Sequence, residues 1–249
     1  MSENALIQFL NQYDTEVELP SISQKVTIKP ITTGQMKKIL AYEGNDDSFA
    51  MEDILDEVIK GCVTTEDFNI DNITQQDRFD LLINIRKITK GNEYSFNIKC
   101  PECKTELINN ININDLESVP FPQNIDTKVK ISDNFNVHLS LITRGMQKNA
   151  IKLVKKQKNL NDDQRMAEIG TYVYALSITK FDTPAGEITD ASVEDKKELL
   201  DNLSERDFGG ITSWYTKNDY GITFTYKPEC RFCGWDDEEK NIPLTGFFF

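Results

Sequence analysis

"IKCPECKTEL" (residues 98–107) and "YKPECRFCGW" (residues 226–235) each carry two cysteines separated by two residues. A Cys-x-x-Cys turn aims two thiolates at one point, and two such knuckles supply the four soft ligands of a tetrahedral Zn²⁺ site. Cys100, Cys103, Cys230 and Cys233 are therefore the candidate metal ligands, with structural zinc as the expected cofactor. Gly234 follows the second pair, where a knuckle favours positive φ. Lys99, Lys104 and Arg231 offset part of the charge of four thiolates. The separation is unusual. Cys103 and Cys230 stand 127 positions apart, whereas compact zinc ribbons keep their knuckles about 15–20 residues apart. The two hairpins must meet across an inserted helical stretch, and an ion there would clamp the two halves of the chain together.

Other readings of the pairs stay open. A redox dithiol calls for a cysteine at a helix N-terminus in a βαβ setting, and strands flank both pairs here. Reduced thiols without metal are a further alternative, and the spacing does not separate zinc from iron. Catalytic zinc would need an open coordination position and a general base. Cys62, behind Gly61 at a helix end, reads as a small buried hydrophobe.

Outward from the knuckles, "EYSFNIKC" alternates Tyr94, Phe96 and Ile98, and "LINNINI" puts Leu107, Ile111 and Ile113 on one face: strand, knuckle, strand. Before it, residues 75–90 form the clearest helix of the first half. Thr74 and Asp77 make a capping pattern, Phe79, Leu82, Ile83 and Arg86 share a face, and Gly91 is the stop. Leu6, Phe9, Leu10 and Tyr13 predict a short N-terminal helix, "VELP" and "KVTIKP" a strand pair, and residues 33–42 (Thr33 as cap, Gly44 as stop) and 49–61 two helices. The proline-rich "VPFPQN" (119–124) is the best internal boundary. A strand with Phe135, Val137, Leu139 and Leu141 follows. Helices are expected at 144–157 and 163–180, the second burying Met166, Ile169, Val173 and Leu176. Ser192 with Asp195 and Ser204 with Asp207 open helices at 193–202 and 205–216, and "GITFTYK" leads to the second knuckle.

The expected fold is therefore α+β: two similar halves of helices plus short antiparallel strands, joined by a zinc-ribbon-like four-cysteine site. Residues 1–118 form the N-terminal half with the first knuckle. Residues 119–249 form the C-terminal half with the helical insertion, the second knuckle and a Phe-rich tail. The recurring order of elements points to a degenerate internal repeat.

Composition narrows function. A formal net charge of −13 argues against a nucleic-acid partner and against adsorption to anionic lipid. No apolar run approaches the roughly 20 residues of a membrane span, and "MSENALIQFLNQY" lacks the features of a secretory signal. Five cysteines without a signal point to a reducing compartment. The single histidine, His138, lies between Val137 and Leu139 and should face away from the apolar side, solvated or toward a partner. Phosphate-binding glycine loops, an H-E-x-x-H pair and a supported Ser/His/Asp set are all missing. The balance favours a binding or structural protein over an enzyme. Phe247, Phe248 and Phe249 end the sequence without a polar tail. They either tuck into the chain's own core or dock into a neighbouring subunit, and as a partner-binding anchor they are the candidate contact.

"LPSISQKVTIKPITTGQMKKIL" (19–40), "DRFDLLINIRKITKGNEYSFNIKCPEC" (77–103), the acidic "INDLESV" (113–119), "TFTYKPECRFCGW" (223–235) and the Phe-rich end follow one another in an order that resembles the T4-type bacteriophage baseplate hub family, over roughly residues 17–249. One departure is that proline precedes the second cysteine pair instead of lying within it, so that turn is expected to differ. The resemblance implies a tail-morphogenesis protein without enzymatic activity. It implies a role in the host cytoplasm during assembly and, for a permanent piece, in the virion tail baseplate. Other baseplate hub and tail proteins would be its partners in a hetero-oligomeric assembly, with the chain serving as a hub component or as a chaperone-like assembly factor. The rival readings are a zinc-ribbon adaptor of a cellular complex and an enzyme using a cysteine pair.

Overall fold

The structure, a computed structural model, describes residues 14–42, 48–244 and 246–248. The expected N-terminal helix at Leu6–Tyr13 and the stop at Gly44 lie outside the described residues. Among those described, seven α-helices accompany short antiparallel strands. β1 (Thr15–Leu19) and β2 (Gln24–Ile28) pair with Val17 opposite Val26, and their alternation sends Val17, Leu19, Val26 and Ile28 inward. α1 (Thr33–Tyr42), α2 (Ser48–Cys62) and α3 (Gln75–Lys90) follow. Thr32, one residue before the expected cap, accepts from the Gln35 N–H at 3.2 Å and so caps α1. Thr74 caps α3 through the Asp77 N–H as its sequence pattern predicts. β3 (Glu93–Lys99) and β4 (Glu106–Asn112) make a two-stranded ribbon whose tip is the first cysteine pair.

The chain leaves this first core through β5 (Ser118–Val119). β6 (Lys128–Ser132) and β7 (Phe135–Leu139) are continued by β8 (Ile178–Thr183) and β9 (Gly186–Ile188) into a four-stranded antiparallel sheet in sequential order. α4 (Arg144–Lys155) and α5 (Asp162–Ser177) stand between β7 and β8, and α6 (Val193–Asn202) and α7 (Glu205–Lys217) follow β9. A second core gathers Val129, Val137, Leu139, Phe181, Leu200, Ile211 and Trp214 between sheet and helices, and a smaller one joins α4 to α5 through Ala150, Val154, Ile169 and Tyr172. The helix expected to run to 180 stops at Ser177, because β-branched Ile178 and Thr179 turn extended into β8. Met166, expected inside, is exposed; α5 buries Ile169 as expected, together with Tyr172 and Ala175, and Val173 and Leu176 pack partly buried against the smaller core.

β10 (Gly221–Ile222) then pairs antiparallel with β5, so the chain returns where it left. β11 (Thr225–Tyr226) and β12 (Lys240–Asn241) flank the second cysteine pair. Ile242, Phe247 and Phe248 pack into the first core, beside Tyr94, Phe96 and the buried residues of α3, with Phe224 and Tyr226 against it. The two sequential halves expected at 118/119 therefore give way to a different grouping. Residues from 221 onward pack with the first core, and the stretch from β6 to α7 forms an excursion between β5 and β10. Apolar side chains at 222, 224, 226 and 242 find their burial there.

A polar junction joins the excursion to the first core. Arg144 donates its backbone N–H to Ile73 and its Nε–H to Asp56 Oδ2 at 2.9 Å, and Arg78 donates to Asp56 Oδ1 at 2.6 Å. All three side chains are buried. Lys148 reaches Asp56 and Asp71 at 3.0 and 2.6 Å. Gly145 is required at this seam, since a Cβ there would come 2.7 Å from the carbonyl oxygen of Asp71. On the other side of α3, buried Asp77 accepts from the Ser21 N–H and hydroxyl and from Tyr220 Oη, whose hydroxyl also bonds Thr74.

Candidate metal centre

Each knuckle is built by the same backbone device. At the first, Lys104 N–H donates to the Cys100 carbonyl at 3.1 Å and Cys100 N–H to the Thr105 carbonyl at 2.9 Å. At the second, Gly234 N–H donates to Cys230 at 2.8 Å and Cys230 N–H to Trp235 at 2.6 Å. The residue after each pair takes positive φ: 60° at Lys104 and 73° at Gly234. Arg231 occupies the place of Pro101, so the shifted proline of the second knuckle leaves the turn unchanged. Pro228 instead accepts from the Asp237 N–H at 3.3 Å and ties the flanks of the knuckle together.

Cys100 and Cys230, the first cysteine of each pair, are buried, and Cys103 and Cys233 are exposed. The pairs face each other crosswise: Cys100 Sγ lies 3.7 Å from Cys233 Sγ, and Cys103 Sγ 3.7 Å from Cys230 Sγ. All four sulfurs fall within 4.8 Å of one another. A regular tetrahedron with metal–sulfur bonds of ~2.3 Å has sulfurs about 3.8 Å apart, so the donor set fits one ion held by four thiolates. Leu107, Ile98 and Trp235 wall the buried side.

Hydrogen bonding prepares the sulfurs unequally. The Thr105 hydroxyl and N–H favour the thiolate of Cys103 and hold it down to about 6. The Trp235 backbone favours the thiolate of Cys233, but desolvation and the neighbouring sulfurs outweigh it and push that thiol up to about 12. Like charges this close oppose full ionisation, and a divalent cation removes that opposition.

A family model described as T4 bacteriophage base plate protein matches residues 10–248. The chain belongs to that family. No curated protein and no solved structure matches it. Membership gives the protein a place in the phage tail, in contact with other tail proteins, and the match runs through both knuckles and the excursion between them. No described helix of this base plate protein is long and apolar enough to cross a membrane.

The other residues singled out in the sequence lie elsewhere. Phe247 and Phe248 are 2% and 5% exposed, inside the protein's own core. Phe247 stacks edge-on against Tyr94 and Phe224, and its carbonyl accepts from Arg86 Nε at 3.2 Å. Neither ring is free to anchor a neighbour, which corrects the docking expectation for these two; Phe249 lies outside the described residues. Arg86, recognised only as part of a helix face, is the organiser here. Its guanidinium also bonds the carbonyls of Gly91 and Glu93 and stands over the rings of Tyr94 and Phe247. His138 faces away from the apolar side and is partly buried between two hydrogen-bond partners. Its Nδ1 lies 3.0 Å from Thr127 Oγ1 and its Nε2 3.0 Å from Asp182 Oδ2, on the outer face of the four-stranded sheet. His138 and Lys128 hold the Asp182 carboxyl down to about 2. Cys62 is fully buried beside Gln35, and burial pushes its thiol up to about 11.

Proposed function

We propose that this base plate protein is a non-enzymatic component of the tail hub or an assembly factor for it, acting through surface contacts and held rigid by one structural Zn²⁺. Cys100, Cys103, Cys230 and Cys233 would hold the ion; when bound it supplies a cross-link between chain segments and no reaction. The observation that carries this reading is the combination of a family match over residues 10–248 with four sulfurs drawn from two distant stretches of the matched region. Four protein thiolates fill a tetrahedral shell and leave no position for water or substrate, as structural sites do. Soft thiolates in this geometry suit zinc, and iron is the competitor.

Assembly in the host cytoplasm agrees with reduced cysteines, because disulfides rarely persist there. The test is purification from infected cells, followed by metal analysis and mass spectrometry of co-purifying chains. The expected result is about one zinc per chain, as a single four-thiolate site requires, together with hub or other tail proteins. Metal-free protein bound to host enzymes would overturn the reading.

A further inference from the structure

Beside the metal centre, a groove of about 340 Å³ separates β4 at Leu107–Asn109 from the extended segment that carries Lys227, Glu229 and Arg231. Its β4 wall is an unpaired edge: β4 pairs only with β3, and no described backbone group bonds its other side. The bonds at the two ends of the ribbon, Cys100 to Thr105 and Ile113 to Asn92, fix the alternation. Odd-numbered residues of β4 bond β3, and Ile108 turns both its N–H and its C=O outward. The Ile108 side chain is 69% exposed. Asn109 stands opposite Phe96 on the inner face, and its Nδ2 is buried without a hydrogen-bond partner. Buried amides are nearly always satisfied, so this one marks a missing acceptor.

The opposite wall supplies charge. Lys227 and Arg231 are exposed, and no described carboxylate pairs with either; Arg231 lies over the ring of Phe232, itself 60% exposed. Glu229 stands between them, so the residues lining the groove carry a net charge of +1 on a chain whose net charge is −13. An open strand edge, an unsatisfied amide and two free cations all ask for acceptors. We propose that this groove takes an extended, acidic segment of another tail protein, which adds as a strand to the Ile108 edge and sets a carboxylate between Lys227 and Arg231. The proposal rests on the tail-assembly reading for the source of the segment, and it places the contact at the metal centre, away from the buried phenylalanine tail. Edge addition gives affinity through backbone bonds, and alternate side chains give selectivity.

The experiment probes an array of short overlapping peptides, covering the phage's other tail proteins, with the metal-loaded full chain. Acidic extended peptides should be captured. Capture should fall about tenfold or more for the exposed double variant K227E/R231E, and rise for E229Q, as charge complementarity requires. Ile108→Pro, which removes an outward N–H and the exposed side chain without breaking a bond to β3, should also weaken it, with metal content as the check on folding. No captured peptide, or capture indifferent to K227E/R231E, overturns the groove. If the same protein still retains intact tail proteins, the hub-contact reading survives that result. Acidic peptides captured without any intact tail protein would do the opposite, supporting the groove and overturning the hub contact.

Discussion

Asp56 on α2 and Arg144 on α4 meet at 2.9 Å across 88 positions of sequence, and both side chains are buried. Arg78 holds the other carboxylate oxygen at 2.6 Å. With Lys148 at 3.0 Å, the arrangement is a three-cation cradle around one anion, at the seam between the first core and the excursion. Asp56→Ala removes the anion and leaves two buried guanidiniums, so it should cost roughly 3–5 kcal/mol, read by urea unfolding. A variant within 1 kcal/mol of wild type, against that estimate of a few, would show the seam is not closed in solution.

Acid should open the same seam. Burial alone would raise the Asp56 pKa, but the Arg78 charge and the bonds from Arg144, Lys148 and Arg78 carry it below the ordinary aspartate value. A depressed folded pKa contributes stability that is complete above the unfolded value, near 3.9, and lost as pH falls through the folded one. The difference in stability between wild type and Asp56→Asn should therefore be constant from neutral pH down to about 5 and shrink only below about 4. A difference that closes near neutrality would assign the effect to another group.

Chelation should loosen both ends of the chain together. With free metal about 1,000-fold above its dissociation constant, binding contributes about 4 kcal/mol, or about 8–16 °C in Tm for a chain of this size. Cys230→Ser should reproduce the loss, and chelator should then add little. Equal melting with and without chelator would mean that the sulfurs hold no ion.

The matched turns give opposite expectations. Lys104 holds a φ of 60° that an L-residue takes at a cost, so Lys104→Gly should gain about 0.5–1 kcal/mol. Gly234→Ala meets no atom within 4 Å, so its loss of about 1 kcal/mol would be conformational alone. Thermal melts of the metal-loaded proteins decide both signs.

Phe247→Ala should cost about 3–5 kcal/mol, as large-to-small core changes do. Its ring is packed against Tyr94, Phe224 and Phe248. Normal melting combined with lost tail assembly would return this residue to the surface role.

Local chemistry made much of this legible in the sequence. Caps at Thr74, Ser192 and Ser204 act through their own neighbours, and all three accept the expected N–H. The knuckles are equally local, so their cysteines could be found by spacing; that they meet across 127 positions is what spacing alone could not establish. What stayed hidden depends on partners distant in sequence. β6 carries alternate lysines and reads as polar until Val129 and its neighbours meet α7. Arg86 looked like the polar edge of a helix stripe, because its acceptors are carbonyls, including that of Phe247, which no side-chain pattern encodes. The Phe tail offered two destinations of equal chemistry, and only the position of Tyr94, Phe224 and Arg86 selects the inner one.

The pairing of β5 with β10 bears on how the protein comes off the ribosome. Hairpin and helices near residue 15 are made first, yet Ile242, Phe247 and Phe248 complete their packing. The nascent chain therefore carries an unfinished apolar surface while the whole excursion is synthesised, and domains that close early have no such interval. Cys230 is made 127 positions after Cys103, so ion capture and completion of the first core both wait until the excursion has been synthesised.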